Sequence, residues 1–435
     1  MTPRIAIIGA GMAGYGAAHR LEEEGVRPVI FERRDHYGGH TASYRVEAGF
    51  TFDEGPHISF TKDERMQRLL AESVNGEYET IQARVNNYWR GHWIKHPVQV
   101  NLHGLPTDLV VRILTDFIEA QQAPEPPIEN YEDWLRASFG DTLAETFPLQ
   151  YTKKNHTTEA RNLTTDWIGP RLYRPRLEEV LEGALAPGTA DVHYITEFRY
   201  PREGGFASYL RGFMERADVR LEHRVVGIDP KRRELRFSNG SSAAFDKLVS
   251  SAPLPELIAM IDGVPGDVRD AADRLACSEV VVVNLGIDRP DVLDAHWSYF
   301  YDEDVLLARL SAPYLQSARN VPPGTSSLQA ECYFSAKYRP LTMSLADVTQ
   351  RVIDDLVRCG VLEPDDRIIV RHAVHVRHAN VIFDHDRAAA VATCHAFLDE
   401  LGIRYAGRYG EWGYLWTDES FISGERAAER VLEAT

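Results

Sequence analysis

The sequence predicts an α/β protein in three parts: a parallel-sheet domain, an inserted helical subdomain, and a domain built on a mixed or antiparallel β-sheet. Three observations predict it. An apolar, β-branched run over residues 5–8 leads directly into a glycine-rich turn and a helical pattern. Apolar residues then recur at helical spacing over 107–160, and residues 280–376 contain long β-branched segments around one helix. The length of 435 residues is sufficient for two or three hydrophobic cores.

The first element has the pattern of a dinucleotide-binding strand, turn and helix. Gly9 permits a tight turn, Gly11 lets the backbone approach a pyrophosphate, and Gly14 lets the helix pack closely on the strand. The free N–H groups at the start of the helix would face the phosphates. A second strand over 28–31 ends at Glu32, where a carboxylate is expected to accept hydrogen bonds from a ribose. These features predict a Rossmann-like domain.

The segment after Glu32 favours FAD over a nicotinamide dinucleotide. Residues 32–39 (ERRDHYGG) place a glycine pair just after the acid, and residues 49–55 (GFTFDEG) add a second glycine turn. Large flavoproteins use such second loops to enclose the rest of FAD. The chain is expected to return to this domain near Val225 and again at the glycine turn that contains Gly407 and Arg408. We therefore predict noncovalent FAD as the cofactor.

These returns of the chain define the predicted domains. The FAD-binding domain is predicted at 1–85, 196–255 and 382–435, the helical subdomain at 104–165, and the substrate-binding sheet domain at 86–103, 166–195 and 256–381. A proline-rich connector at 121–129 interrupts the helical subdomain. The closing helix is predicted from the run GERAAERVL, which begins at Gly424.

Composition restricts the class of ligand. The 48 Lys plus Arg residues against 65 Asp plus Glu residues give a net charge of −17, which disfavours nucleic acid and anionic membranes as partners. The four cysteines have no metal-ligand spacing, and no leader or membrane-spanning stretch is apparent, so we expect a reduced, cytoplasmic protein without a metal site. An anionic small molecule would need a local arginine cluster. The sequence carries no signal for an oligomeric state.

Further motifs lie outside the glycine turns. They are FDEGPHI at 52–58, WIKHPVQVN at 93–101, WIGPR at 167–171, FRYPREGG at 198–205, WSY at 297–299 with the later Arg309, and GRYGEWGY at 407–414. Together they resemble the UDP-galactopyranose mutases, within the amine-oxidase and protoporphyrinogen-oxidase group of flavoproteins. The resemblance covers most of the chain at low identity. The Trp-x-Gly-x-Arg and Trp-x-Tyr elements are the ones more specific to the mutases.

The resemblance implies a redox-neutral reaction on a nucleotide sugar. In that family N5 of reduced FAD attacks the anomeric carbon, the diphosphate leaves, and the sugar ring opens and recloses as the furanose. Arg171 and Arg309 match the arginines that stabilise the diphosphate through bidentate bonds. Tyr299 and Tyr414 match tyrosines that contact it, and His57 matches the histidine beside N5. The structural alternatives are ordinary ion pairs for the arginines, core packing for the tyrosines and a turn hydrogen bond for His57.

The predicted site residues fall into three sets. The catalytic set is His57, Arg171, Arg309, Tyr299 and Tyr414. The substrate-binding set is Gln99, Asn101, Trp167, Arg171, Trp297, Tyr299, Arg309 and Asn380, with turn capping as the alternative for Gln99 and Asn101. The cofactor-binding set is Gly9, Gly11, Gly14, Glu32, Arg33, Gly39, His40, Gly55, His57, Val225, Gly407, Arg408, Tyr414, Asp418 and Ser420.

Three departures from the mutase pattern bear on the substrate. Residues 206–209 (FASY) replace a Thr-Gly-Gly-aromatic run, and Asn380 stands where a diphosphate-binding tyrosine is expected. Lys153 and Lys154 make residues 151–155 basic where the mutases carry aromatic uracil-stacking loops. The substrate class therefore extends to other nucleotide sugars and to phosphorylated sugars.

Two other functions stay open from the sequence alone. One is a flavin oxidase or desaturase of the protoporphyrinogen-oxidase or amine-oxidase kind, and the other is a protein with a purely structural FAD. An amine oxidase would line its flavin face with an aromatic cage, whereas two arginines favour an anionic substrate. NAD(P)H is one reductant that the sequence leaves open for the mutase reading.

Overall fold

The structure is a computed structural model that describes residues 3–124, 126–187 and 192–433. The parts of the predicted domains and of the proline-rich connector that fall at 1–2, 125, 188–191 and 434–435 lie outside the described residues. No helix within the described ranges is long and apolar enough to cross a membrane.

The strands and helices are given in chain order. The strands are β1 (Ile5–Ile8), β2 (Val29–Phe31), β3 (Ser43–Arg45), β4 (Thr51–Asp53), β5 (Tyr78–Gln82), β6 (Val85–Trp89), β7 (His92–Lys95), β8 (Glu197–Pro201), β9 (Asp218–Arg220), β10 (Val225–Asp229), β11 (Glu234–Phe237), β12 (Ser242–Ala244), β13 (Lys247–Ser250), β14 (Glu279–Ile287), β15 (Trp297–Phe300), β16 (Arg309–Ser311), β17 (Ser326–Phe334), β18 (Ile368–Val376) and β19 (Ile403–Tyr405). The α-helices are α1 (Met12–Glu23), α2 (Glu64–Ser73), α3 (Thr107–Gln122), α4 (Tyr131–Phe139), α5 (Asp141–Thr146), α6 (Pro148–Asn155), α7 (Leu177–Leu185), α8 (Arg211–Arg216), α9 (Leu254–Met260), α10 (Gly266–Arg274), α11 (Pro313–Gln316), α12 (Leu345–Arg358), α13 (Arg387–Glu400), α14 (Gly407–Gly410) and α15 (Thr417–Glu433).

A five-stranded parallel sheet, in the order β19-β13-β1-β2-β9, forms the nucleotide-binding part of the molecule. Its central strand β1 is buried over its whole length, as expected for a parallel strand covered on both faces. Helices α1 and α15 lie against each other with almost no side chains between them. A Cβ added at Gly16 would sit 2.0 Å from the Phe421 carbonyl oxygen, and one at Gly424 would sit 1.9 Å from that of Ala13. The first and last helices therefore pack backbone to backbone.

A seven-stranded mixed sheet, in the order β18-β14-β17-β16-β15-β6-β7, forms the second sheet domain. β17 is buried at every residue, and β14 is buried at all but its first. The antiparallel pairing of β16 with β17 sets Arg309 opposite Glu331. Because directly opposed residues share one face, this register brings the two side chains together.

The inserted helices α3 to α6 pack through apolar faces that the sequence shows at helical spacing. Leu109, Ile113 and Phe117 of α3 belong to the same core cluster as Leu135 and Phe139 of α4. Helix α4 begins where the Asn130 side chain accepts a hydrogen bond from the Asp133 N–H, which satisfies one free donor of the first turn. These helices form one end of the cavity described below.

The predicted fold class is confirmed, and a predicted helix boundary changes. The strand predicted at 5–8 matches β1, and the β-branched segments within 280–376 include β14 and β18. Helix α2 begins where the Asp63 side chain accepts a hydrogen bond from the Met66 N–H. The closing helix begins at Thr417 and not at Gly424, so Gly424 is an internal packing residue of α15.

Candidate functional site

One cavity of about 1080 Å³ connects the parallel sheet, the mixed sheet and the inserted helices. Small-molecule sites have volumes of roughly 300–1,000 Å³, so this cavity has room for a cofactor and a second ligand. The predicted residues that line it are Gly9, Gly11, Glu32, Arg33, Gly39, His40, Gly55, His57, Gln99, Trp167, Arg171, Val225, Trp297, Tyr299, Arg309, Asn380, Gly407, Arg408, Tyr414 and Ser420.

At the parallel-sheet end, glycines from two loops form a cradle without side chains. Gly11 caps the N-terminus of α1 and forms a bridge with Gly38. A Cβ on Gly39 would lie 3.1 Å from Gly11 Cα, so the two loops touch through backbone. Gly38 and Gly39 have φ values of +113° and +57°, which favour glycine. Backbone N–H groups at a helix start beside such a cradle suit a pyrophosphate.

Glu32 lies at the end of β2 and is buried. Its two carboxylate oxygens accept hydrogen bonds from the Ala10 N–H at 2.9 Å and the Arg34 N–H at 3.0 Å. The sequence-based expectation was that this carboxylate accepts from a ribose. A carboxylate has about four acceptor positions, so two backbone bonds leave capacity for a ligand hydroxyl in the cavity that Glu32 lines.

Arg171 presents a guanidinium without a carboxylate partner among the described residues. Its terminal nitrogens donate to the carbonyl oxygens of Trp167 at 3.2 Å and Tyr414 at 2.6 Å. Its carbon lies 4.3 Å above the Tyr414 ring and 4.6 Å above the Trp416 ring. Its Nε is buried and has no hydrogen-bond partner. Burial lowers the pKa of this arginine, but an anion in the cavity would offset that effect.

Arg309 differs from Arg171 because its charge is already paired. Its Nε and Nη2 both donate to the Glu331 carboxylate, the second at 2.9 Å, and the Tyr333 hydroxyl donates to the same carboxylate at 2.8 Å. Burial alone would lower the pKa of Arg309, but Glu331 raises it well above its ordinary value. The ion-pair alternative therefore holds for Arg309, although the pair is buried and lines the cavity.

Two guanidiniums lie close to the Tyr414 ring. The central carbons of Arg171 and Arg408 are each 4.3 Å from its ring centroid. Arg408 donates to the Asn380 Oδ1 at 2.7 Å and to the Leu415 carbonyl at 3.3 Å, and its buried Nε has no partner. Asn380, which was expected near a substrate, thus also holds Arg408 in place.

His57 lies in the cavity with its tautomer set by the backbone. Its Nδ1 donates to the Gly55 carbonyl at 2.7 Å, because a carbonyl oxygen only accepts. Burial lowers the pKa of His57 to about 4, so the imidazole is neutral at pH 7. Its Nε2 therefore carries a lone pair. The histidine thus makes a turn hydrogen bond and also contributes a neutral acceptor to the site.

The other predicted substrate residues are held by local bonds. Gln99 donates to the Tyr173 carbonyl at 3.1 Å, and the Trp167 indole donates to the Thr164 carbonyl at 2.9 Å. The Trp297 indole donates to the Tyr299 hydroxyl oxygen at 3.2 Å. These bonds fix the orientation of side chains that line the cavity.

Three predicted residues lie outside the cavity lining. Gly14 serves packing, because a Cβ there would meet the Gly9 carbonyl oxygen at 1.9 Å. The Asn101 amide donates to the Pro97 carbonyl at 2.8 Å, which is a turn bond. Asp418 lies in the first turn of α15, where an acidic residue complements the helix dipole. The packing role predicted for Gly14 therefore agrees with the structure, whereas Asn101 and Asp418 make local contacts outside the cavity lining.

Residues 151–155, whose two lysines depart from the mutase pattern, contribute other side chains to the cavity. Tyr151 and Asn155 line the cavity, whereas neither lysine does. Lys153 pairs with Glu159 at 3.4 Å, and Lys154 is buried with its Nζ donating to the Asp302 carbonyl at 2.9 Å. The segment belongs to helix α6, in which Tyr151 and Asn155 are four residues apart and therefore share one face.

The sequence analysis missed several lining residues. Glu331 and Tyr333 were not among the predicted site residues. A glutamate inside the run SSLQAECYF could have indicated a site, because a buried carboxylate needs a partner. His96 and His193 also line the cavity and were not selected. His96 stands inside a quoted motif, but His193 has no sequence signal beyond its residue type.

The sequence matches the family of flavin-containing amine oxidoreductases over residues 12–432. The chain belongs to that family. Its overall structure is similar to that of a reduced UDP-galactopyranose mutase, with a TM-score of 0.93, 26% identity, and coverage of 100% of this chain and 96% of the other. A solved structure from Exiguobacterium sp. 255-15, whose name assigns it to the protoporphyrinogen oxidases, has a TM-score of 0.76 at 17% identity and full coverage of both chains.

Among the curated relatives of this chain, the 4,4'-diapophytoene desaturase of Staphylococcus aureus is 24% identical to it over 361 residues. That match covers 71% of this chain and 69% of the desaturase. Family membership and the mutase likeness together imply a flavin cofactor. The glycine cradle, the helix start and Glu32 provide groups that fit a nucleotide phosphate and ribose.

Proposed function

We propose that this chain is an FAD-dependent mutase that interconverts the pyranose and furanose forms of a nucleotide-linked sugar. The observation that carries the proposal is the Arg171 guanidinium, which is partly buried, has no carboxylate partner among the described residues, and shares a cavity with the glycine cradle. A cation with a free donor in such a place favours an anionic ligand. The mutase likeness over the whole chain supports the same reading.

FAD would be held by the cradle of Gly11, Gly38 and Gly39, with Glu32 at the ribose and the His57 turn near the isoalloxazine end. When bound and reduced, the flavin supplies the electron pair that attacks an anomeric carbon, without net redox change. FAD fits better than a mononucleotide because the cavity reaches from Val225 past the cradle to His57.

The side chains of the site would have different roles that depend on their charge. Arg171 and Arg408 would hold the diphosphate, and the uncommitted Nε–H of each gives it a donor for the charge that develops as the diphosphate leaves. Arg309, already neutralised by Glu331, would contribute directed N–H groups more than net charge. Tyr299 would donate its hydroxyl proton, because its oxygen accepts from Trp297.

The test measures product formed per reducing equivalent supplied. The enzyme is reduced once with dithionite under anaerobic conditions and given UDP-galactofuranose, then a panel of other nucleotide sugars. Many product molecules per electron pair are expected, because a redox-neutral reaction consumes no electrons. The same preparation left oxidised is the control and should be inactive.

A second candidate is a flavin oxidase or desaturase, favoured by the desaturase among the curated relatives. It predicts the opposite results: activity in the oxidised enzyme, one electron pair per product, and a stop after one turnover without oxygen or another acceptor. A ratio near one, or activity restricted to the oxidised form, would replace the mutase proposal with this one. A flavin that no substrate class turns over in either state would instead indicate a structural cofactor.

A further inference from the structure

Two histidines form a part of the cavity that the proposed chemistry does not use. His96, just after β7, and His193, just before β8, line the cavity with ring centroids 4.8 Å apart at an interplanar angle of 84°. Each ring nitrogen of a neutral histidine has one role, donor or acceptor, and its neighbours determine which.

The tautomer of His96 is set by Asn87. The Asn87 Nδ2 donates to the Lys95 carbonyl at 3.3 Å, which can only accept, so the Asn87 Oδ1 is the atom that faces His96. That oxygen also accepts from the Tyr301 hydroxyl at 3.3 Å. The His96 Nδ1 lies 2.9 Å from it and must be the donor. The His96 Nε2 therefore carries a lone pair.

The tautomer of His193 is set by the backbone in the same sense. Its Nδ1 lies 3.0 Å from the Ile195 carbonyl oxygen and donates to it, which leaves Nε2 as an acceptor. Burial lowers the pKa of both rings, so both are neutral at and above pH 7. Within the described ranges no residue forms a hydrogen bond with either Nε2.

The neighbours of the two rings are uncharged aromatic groups. The Tyr299 ring centroid lies 4.9 Å from that of His96, and the Trp297 centroid lies 6.1 Å from that of His193. The Trp297 indole N–H is already bonded to the Tyr299 oxygen. This part of the cavity therefore offers flat apolar faces and two acceptors, whereas the part around Arg171 and Arg408 offers cationic donors.

We propose that His96 and His193 form an acceptor pair that selects a neutral, hydroxyl-bearing glycosyl group and rejects one that carries a carboxylate. A sugar hydroxyl can donate to each Nε2, while a carboxylate would place its oxygens against two lone pairs. The inference rests on the proposed function, since it concerns the sugar end of a ligand whose diphosphate lies at the arginines. It makes the two histidines specificity-determining residues.

The experiment measures equilibrium binding to the oxidised FAD-loaded enzyme at pH 8, by calorimetry or by the change in flavin absorbance. The ligands are UDP, UDP-galactose and UDP-glucuronate, which share the diphosphate and differ at the sugar. The proteins are the wild type, His96→Phe, His193→Phe, the double variant, and His193→Gln, which keeps an acceptor. His92→Phe is the matched control, because His92 lies on β7 and outside the cavity lining.

In the wild type, UDP-galactose should bind more tightly than UDP-glucuronate. Each His→Phe change should weaken the binding of UDP-galactose about three- to tenfold, the scale of one lost hydrogen bond between neutral groups. The affinity for UDP should stay within about twofold of the wild-type value. The double variant should show a smaller difference in affinity between UDP-galactose and UDP-glucuronate than the wild type does. His193→Gln should keep more affinity for UDP-galactose than His193→Phe, and His92→Phe should match the wild type.

Three results would overturn the inference. If the variants bind UDP-galactose as the wild type does, the rings do not contact the sugar. If UDP and UDP-galactose weaken equally, the rings support the fold or the diphosphate and not the sugar. If the wild type binds none of UDP, UDP-galactose and the panel of other nucleotide sugars, the proposed function has failed, and the acceptor pair fails with it.

Discussion

A thermodynamic cycle on the Arg309–Glu331 pair separates its effect on stability from its effect on turnover. The side chains are 28% and 5% exposed, so removing one partner leaves a largely buried charge without its counter-ion. Such single removals cost about 3–5 kcal/mol, whereas removing both partners is often close to neutral. An unfolding entropy of roughly 2.1 cal/mol/K per residue gives about 0.9 kcal/mol/K for this chain. Arg309→Met and Glu331→Gln should therefore each lower the Tm by about 3–5 °C.

The double variant should regain most of the Tm that each single variant loses, but its turnover should stay below that of the wild type. Its loss of Arg309 removes a preorganised donor set, which typically costs about a hundredfold or more in kcat. The assay is thermal unfolding of the flavin-loaded proteins, followed by turnover of UDP-galactofuranose by the reduced enzymes. Asp304→Asn is the control, because Asp304 pairs with Arg358 at the surface and exposed pairs contribute little. Single variants that melt with the wild type, or a double variant with full turnover, would refute the reasoning.

Three further predictions concern the cradle, the free arginine and pH. Gly11→Ala should retain flavin, because a Cβ at that position meets the Gly38 oxygen at an ordinary 3.6 Å. Gly11→Leu should lose flavin, because its longer side chain must enter the cradle. Equal flavin absorbance in the two variants would contradict this prediction. Arg171→Ala should lower turnover about a hundredfold at normal flavin content, and wild-type kinetics would remove its diphosphate role. Burial lowers the pKa of His296 to about 4, and its Nδ1 accepts a hydrogen bond from the Arg84 N–H at 2.9 Å. As the pH falls, His296 therefore becomes protonated in the unfolded chain before it does so in the folded protein, which favours unfolding. Stability to urea should fall as pH drops from 6.5 towards 4, and His296→Asn, which keeps an acceptor, should flatten that fall; an unchanged slope would exclude His296 as the cause.

The local elements could be predicted from sequence because their signals are local. The run IAII before Gly9 predicts the bounds of β1, and the β-branched character of residues 280–376 predicts strands where β14 and β18 lie. Most of the residues predicted from the motifs line the cavity. For the nucleotide loops the reason is that glycine turns and helix starts occupy fixed places relative to strands.

The partners of the site residues could not be predicted in the same way. Arg309 was selected as a free anion-binding group, but its pairing with Glu331 depends on the register of β16 against β17. Register depends on the whole sheet and not on either strand alone. The partners of Lys153 and Lys154 could not be predicted for a related reason, since Glu159 and Asp302 lie outside α6. Tautomers such as that of His96 depend on contacts from three separate segments.

The contact between α1 and α15 has a consequence for the order in which the protein matures. The glycine loop and α1 are synthesised before α15, the helix that covers α1, because α15 lies about 400 residues further along the chain. During synthesis the emerging loop therefore has no α15 against it and no β19 at the edge of its sheet. Residues from the turn at 407 to the start of α15 also line the cavity, so we expect a chain that ends before α15 to bind flavin poorly. Flavin content would then report on whether α15 has docked.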